Sequence, residues 1–149
     1  MDGKEIDPVP IGRVKSPLTD RASAPKQGCE GAPDAWILLE EWAVPGLEGI
    51  REGDEILVLS WLDRASRDVL RVRPRGDPSG GERGVFCTRS PDRPNPIGLH
   101  PVEVVEIQGG RILVRDLEAL DGTPILDIKP ARRCSERGVP ADNSDSSAR

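Results

Sequence analysis

Histidine and cysteine are scarce in this chain: His100 is the only histidine, and Cys29, Cys87 and Cys134 are the only cysteines. Three is an odd number and the spacing matches no zinc pattern, so neither a disulfide framework nor a zinc site is expected. A metal would have to be held by carboxylates alone, and no metal is expected. A histidine general base is equally disfavoured; His100, between Leu99 and Pro101, reads as a structural or surface residue. A basic surplus is also missing. The chain has 21 Lys and Arg against 26 Asp and Glu, a formal charge of −5, which excludes the global positive field that supports strong non-specific nucleic-acid binding. Any nucleic-acid contact must come from a local patch. No apolar run approaches the length of a bilayer crossing, and the N-terminus MDGKEIDPVP lacks a basic segment followed by an apolar one. No membrane partner is expected, and the protein is expected in the cytoplasm.

No long helical period appears either. The 149 residues allow one domain with a proper core, and short apolar stretches separated by glycine and proline point to an all-β barrel or sandwich. Val9 to Val14 has the β-branched content of a strand, closed by Ser16-Pro17. Ala35 to Trp42 is ambiguous between strand and short helix, ending at Val44 to Gly49. Asp54 to Leu62 is a nearly unbroken apolar run, the pattern of a strand covered on both faces, which in a small sheet implies a closed barrel or a partner subunit. Gly84 to Arg89 reads as a strand delivering Arg89 into the next loop. Leu99 to Ile107 and Arg111 to Leu117 read as a hairpin around Gln108-Gly109-Gly110, because glycine supplies the positive φ of tight turns. Ile125 to Lys129 is a last short strand, and the serine- and aspartate-rich end from Pro140 is expected to be disordered.

The most unusual stretch is Arg89 to Gly98, RSPDRPNPIG, with three prolines, two arginines and one asparagine. Pro91, Pro94 and Pro96 forbid a helix or central strand, so this is a stiff loop. It is either a rigid linker with solvated arginines, or a platform that displays Arg89, Arg93 and Asn95 to phosphates, carboxylates or nucleobase edges with little ordering entropy left to lose. The chain from Arg64 to Arg93 is locally rich in arginine. Trp61 to Arg64, Arg89 to Gly98 and Asp121 to Lys129 all fall at strand ends, and in one barrel they can meet at a rim and build a pocket. Such a pocket would place cationic donors beside Asp63, Asp121 and Asp127. Alternatively, Asp121-Gly122 is only a turn, and Asp127 with Lys129 only a surface ion pair.

Taken together, GVFCTRSPDRPNPIGL, DGTPILDIKP and PIGRVKSP resemble the TsaA/TrmO-like family over roughly residues 9 to 130. The resemblance implies an S-adenosylmethionine-dependent methyltransferase on a small antiparallel β-barrel of about seven strands, homodimeric, with the cofactor near the subunit interface. The chain is expected to divide into a flexible N-terminus at residues 1–8, the barrel domain at 9–133 and a disordered tail at 134–149. The acceptor the resemblance implies is the exocyclic nitrogen of threonylcarbamoyladenosine beside the anticodon of tRNA. Cofactor contacts would fall at Gln27, Gly28, Leu62, Asp63, Arg89, Leu99, Leu117, Glu118, Ala119 and Leu120. Asp63 or Glu118 would face the ribose or ammonium group, and Arg89 the carboxylate. Asp127 would accept the proton, while Arg93, Asn95 and Lys129 would hold the base, a phosphate or the threonyl carboxylate. The arginines from Arg64 to Arg83 would supply phosphate contacts.

Two positions depart from the family pattern: Ala131 stands where an aromatic residue usually follows DIKP, and Glu118 where aspartate is more usual. The archetype also carries a C-terminal domain, which is not expected here. Beside the tRNA enzyme, the sequence leaves open a methyltransferase with a small-molecule acceptor and a non-catalytic S-adenosylmethionine-binding module.

Overall fold

The computed structural model describes residues 5–22, 24–25, 30–73 and 80–131. Eight strands run in chain order: β1 Gly12–Lys15, β2 Ala35–Leu39, β3 Glu55–Trp61, β4 Arg71–Val72, β5 Arg83–Gly84, β6 Ile97–Gln108, β7 Arg111–Val114 and β8 Pro124–Pro130. Six of them close into an antiparallel barrel in the order β1-β2-β7-β6-β3-β8, with β8 pairing back to β1 through Gly12↔Ile125. β4 and β5 form a separate two-stranded ribbon in the long β3–β6 connection. The expected barrel is present, with six wall strands in place of about seven. Two register shifts, in β8 beside Leu59/Ser60 and in β6 between Val104 and Glu106, add the local twist that closure of so few strands demands.

Alternation along the strands sorts core from surface. β3 buries Ile56, Val58 and Ser60, and β6 buries Gly98, His100, Val102 and Val104. With Val14, Ile37, Ile112, Val114 and Ile125 these form the interior. Its β-branched residues suit a pleated, curved wall, and each buried side chain contributes about 1.5–3 kcal/mol. The other face of β3 is not covered as fully as its apolar run implies: Leu57, Leu59 and Trp61 are half-buried on the outside. Beside them on the outer face of β6, Ile97 and Leu99 are 46% and 40% exposed.

The ambiguous Ala35 to Trp42 stretch is a strand as far as Leu39, followed by a 3-10 turn over Glu41–Leu47 that seats Leu47 in the core. The β6–β7 hairpin turns at Gly109-Gly110 as expected, with only Gly109 at positive φ, +58°. Gly84 to Arg89 is not a strand. Pairing ends at Gly84 and Val85–Cys87 forms a 3-10 turn that buries Val85, so Arg89 is delivered by a turn. Glu5 to Pro8 are exposed and outside any strand. The tail from 132 lies outside the described residues, and among those described no helix is long and apolar enough to cross a membrane.

Candidate functional site

Antiparallel order places the β1–β2, β3–β6 and β7–β8 connections at the same end of the barrel. Those three connections carry most of the candidate residues, and side chains bolt them together. Arg64 donates through Nη1 to the Thr19 carbonyl at 2.7 Å and through Nη2 to the Asp121 carbonyl at 3.5 Å. Asp121 accepts the Ser16 N–H at 2.9 Å, and Gly122 turns the chain at φ +84°. Asp121-Gly122 is therefore a structural turn that ties β8 to β1. Arg21 reaches the Asp92 carboxylate at 3.3 Å, whose other oxygen accepts the Ser66 N–H at 2.9 Å. Burial pushes the Asp92 carboxyl up, but the Ser66 N–H and the Arg21 guanidinium outweigh it and hold it below its ordinary value.

On this rim Phe86, Thr88, Arg89, Arg93, Pro94, Asn95 and Ile97 line an open cleft of about 470 Å³. Two of the three polar residues expected to be displayed are exposed on this cleft. Arg89 is exposed and makes no hydrogen bond or ion pair with the described residues. Asn95 is exposed, and its Oδ1 accepts from Arg67 Nη2 at 3.1 Å, which turns its NH₂ outward. Arg93 differs from expectation. Its guanidinium donates to the carbonyls of Thr88 (3.0 Å), Ser90 (2.9 Å) and Val85 (3.1 Å), so its charge fastens the loop on which Arg89 stands. Pro91, Pro94 and Pro96 stiffen the backbone between these anchors.

Asp127 and Lys129 are not among the residues lining this cleft. They point outward from β8, opposite Leu59 and Leu57, and pair with each other at 3.2 Å while half-exposed. Asp127 Oδ1 also accepts the Ile128 N–H at 2.9 Å. Along β3, Asp127 lies two residues from the Trp61↔Ile97 rung where the proline loop joins the wall, about 7 Å. Lys129 instead lines a cleft of about 680 Å³ at the opposite rim, with Glu48, Asp54 and Glu55.

Of the expected cofactor contacts, Leu62 is half-buried and anchors the turn through its N–H to the Pro96 carbonyl at 2.8 Å. Asp63 is exposed beside it, and Leu99 lies on the outer wall. Gln27 and Gly28 lie outside the described residues. The segment Leu117 to Leu120 crosses the mouth of the barrel: Leu117 and Ala119 plug the core, while Leu120 accepts the Thr123 N–H at 3.1 Å.

Glu118 turns inward. Its Oε2 meets His100 Nδ1 at 2.7 Å, and His100 Nε2 meets Ser60 Oγ at 2.7 Å. His100 is thus a structural residue and not a surface one. A carboxylate only accepts, so Nδ1 carries the hydrogen, and in the neutral ring Nε2 accepts from the Ser60 hydroxyl. The order Ser-His-Glu has the wiring of a hydrolytic triad, but Ser60 has no exposed surface and no substrate carbonyl can reach it. Sequence reasoning missed this chain although a signal existed: His100 is in phase with Val102 and Val104 on β6, and Ser60 with Ile56 and Val58 on β3.

Comparison with known proteins agrees with this architecture. The chain belongs to the family of the tRNA-methyltransferase O N-terminal domain, which matches residues 13–134. It is 51% identical over 121 residues to an S-adenosyl-L-methionine-binding protein of Archaeoglobus fulgidus, covering 80% of this chain and 85% of that one. It is 46% identical over 131 residues to a probable S-adenosyl-L-methionine-binding protein of Methanothermobacter thermautotrophicus, covering 87% and 93%. Among solved structures, TrmO from Pseudomonas aeruginosa superposes with a TM-score of 0.71 at 28% identity, covering 97% of this chain. The chain spans 64% of the length of that protein.

Proposed function

We propose that the chain is an S-adenosylmethionine-dependent methyltransferase that methylates the exocyclic nitrogen of threonylcarbamoyladenosine beside the anticodon of a cytoplasmic tRNA. The observation that carries this reading is the rim loop, which presents Arg89, without a partner among the described residues, and an oriented Asn95 over a 470 Å³ cleft in a chain of this family.

The donor set fits the cofactor. Arg89 suits its carboxylate, Glu118 or Asp63 its ribose diol or ammonium group, and Phe86, Pro94 and Ile97 offer apolar wall. Leu62, Leu99, Leu117, Ala119 and Leu120, with Gln27 and Gly28, complete the proposed contacts. S-Adenosylmethionine, when bound, supplies an electrophilic methyl group on a sulfonium. The chain's own contribution is chiefly to hold the accepting nitrogen in line, a proximity effect worth several kcal/mol or more. The Asn95 NH₂ donates to an acceptor atom of the base or its carbamoyl group. Arg93 keeps the loop rigid. Asp127 accepts the proton that the nitrogen loses, with Lys129 orienting it.

The proposed assembly is a homodimer through the outer wall of β3, β6 and β8. Leu57, Leu59, Ile97 and Leu99 supply its apolar surface. A small-molecule acceptor is the second reading, favoured by one observation: Arg64, Arg67 and Arg71 are engaged by protein groups and are not free to grip phosphates.

Incubation with methyl-labelled donor and tRNA, with and without the threonylcarbamoyl group, tests the proposal. Label in the modified tRNA alone supports it. Label in neither, from a preparation that binds the donor, rejects the tRNA acceptor.

A further inference from the structure

We propose that His100 is a positioning residue for the methyl-donor site, holding one Glu118 oxygen so that the other faces the ligand as a fixed acceptor. The inference rests on the donor-binding reading above. Glu118 bridges two environments: its side chain is 20% exposed at the barrel mouth, while its partner His100 is 4% exposed inside. Only Oε2 is engaged, by Nδ1–H at 2.7 Å; Oε1 makes no hydrogen bond to the described residues. A carboxylate at the end of a free side chain samples several rotamers, and fixing it before the ligand arrives removes that entropy from binding. Leu117 and Ala119, buried on either side, pin the backbone that carries Glu118. The free oxygen takes an O–H or N–H group of the bound ligand.

The ring itself is fixed from behind. In the neutral ring Ser60 donates to Nε2 at 2.7 Å, and Gly98 makes room for that contact, since a Cβ there would stand 2.4 Å from Ser60 Oγ and 2.6 Å from His100 Nε2. Two strands, through Ser60 on β3 and Gly98 on β6, thus determine where the Glu118 carboxylate lies. A buried imidazole satisfied at both nitrogens selects one tautomer, the one with hydrogen on Nδ1, which is the only neutral form that can donate to a carboxylate.

Two replacements separate positioning from packing. Asparagine places its amide nitrogen near the position of Nδ1 and can still donate to Glu118; glutamine reaches toward Nε2 and Ser60 and abandons Glu118. Binding of S-adenosylmethionine is measured by calorimetry for the wild type, His100→Asn and His100→Gln, with thermal melting of each. His100→Gln is expected to weaken binding roughly tenfold or more while His100→Asn stays within about threefold. Glu118→Gln is expected to weaken binding to a similar degree, and adding His100→Gln to it to change little further.

A measurement on the wild type stands beside these in case a variant does not fold. His100 is the only histidine, so nitrogen-15 NMR of the untagged chain gives one imidazole. Hydrogen on Nδ1 and a shift of that signal on adding S-adenosylmethionine are expected. Donor binding that is unaltered in both histidine variants, or reduced equally in both in step with their melting temperatures, would overturn the positioning role. So would a neutral ring with hydrogen on Nε2, or an imidazole signal indifferent to the bound donor. A wild type that binds no donor at all removes the donor-site reading, and this inference with it.

Discussion

Arg67 fixes the orientation of Asn95. Its guanidinium lies 5.1 Å from the centre of the Trp61 ring and donates to the Pro94 carbonyl at 2.8 Å and to Asn95 Oδ1 at 3.1 Å. The cation stacked on the last residue of β3 therefore decides which end of the Asn95 amide faces the cleft. Arg67→Ala is expected to lower kcat/KM for methyl transfer roughly tenfold, about 1.4 kcal/mol of transition-state stabilisation. Because the pair is exposed, unfolding stability should move by about 1 kcal/mol or less. Arg67→Lys should resemble alanine in turnover, since an ammonium group lacks the planar fork. Unchanged turnover in both variants would show that Asn95 needs no such support.

Gly98 is the point of closest approach inside the barrel. An added methyl group would overlap Ser60 Oγ and His100 Nε2, so Gly98→Ala should cost about 1–3 kcal/mol in urea unfolding, the usual range for an overfilled core. Ser60→Ala in the same chain should recover part of that loss by removing one of the two clashing atoms. Additive losses would contradict the clash.

Arg93 and Arg89 stand four positions apart and differ in their roles. Arg93→Lys removes a three-carbonyl anchor and should destabilise the fold by about 1.5–3 kcal/mol. Arg89→Lys should leave the urea midpoint in place and weaken donor binding, as expected of a side chain with no partner among the described residues. The reverse pattern in calorimetry and unfolding would exchange their assignments.

Asp92 links acid stability to the rim. Its carboxyl is held below the ordinary value of 3.8, the Ser66 N–H and Arg21 outweighing the upward push of burial. A depressed acid contributes stability above its unfolded pKa, and that contribution is lost as pH falls through the folded value. The stability difference between wild type and Asp92→Asn should be constant at neutral pH and shrink below about 3.8. A difference that grows on acidification would contradict the sign of the shift.

Much of the barrel is legible in the sequence because its strands are short, β-branched and bounded by glycine or proline. The hairpin at Gly109-Gly110 and the apolar run of β3 follow from period and turn chemistry alone. Val85 to Cys87 misleads because an apolar triplet looks the same in a strand and in a 3-10 turn, and only burial of Val85 decides between them. The rim cluster is legible as a set of strand ends. What each member does is not, because guanidinium partners are tertiary facts: nothing local distinguishes Arg93, bound to three carbonyls, from Arg89, bound to none among the described residues. Asp127 and Lys129 likewise alternate with Leu126 and Ile128 in the sequence, but that alternation cannot say that the face they share is the outer wall. His100 reads from its neighbours Leu99 and Pro101 as structural or surface, and its phase with Val102 and Val104 on β6 is the signal that decides for the interior.

The reaction proposed for this rim is methyl transfer to a modified adenosine. Nucleoside digestion and mass analysis of tRNA incubated with the protein and S-adenosylmethionine test it most directly. Conversion of threonylcarbamoyladenosine to its N-methylated form, with no change in any other nucleoside, is expected. Unaltered threonylcarbamoyladenosine, in the presence of protein shown to bind the donor, would contradict it.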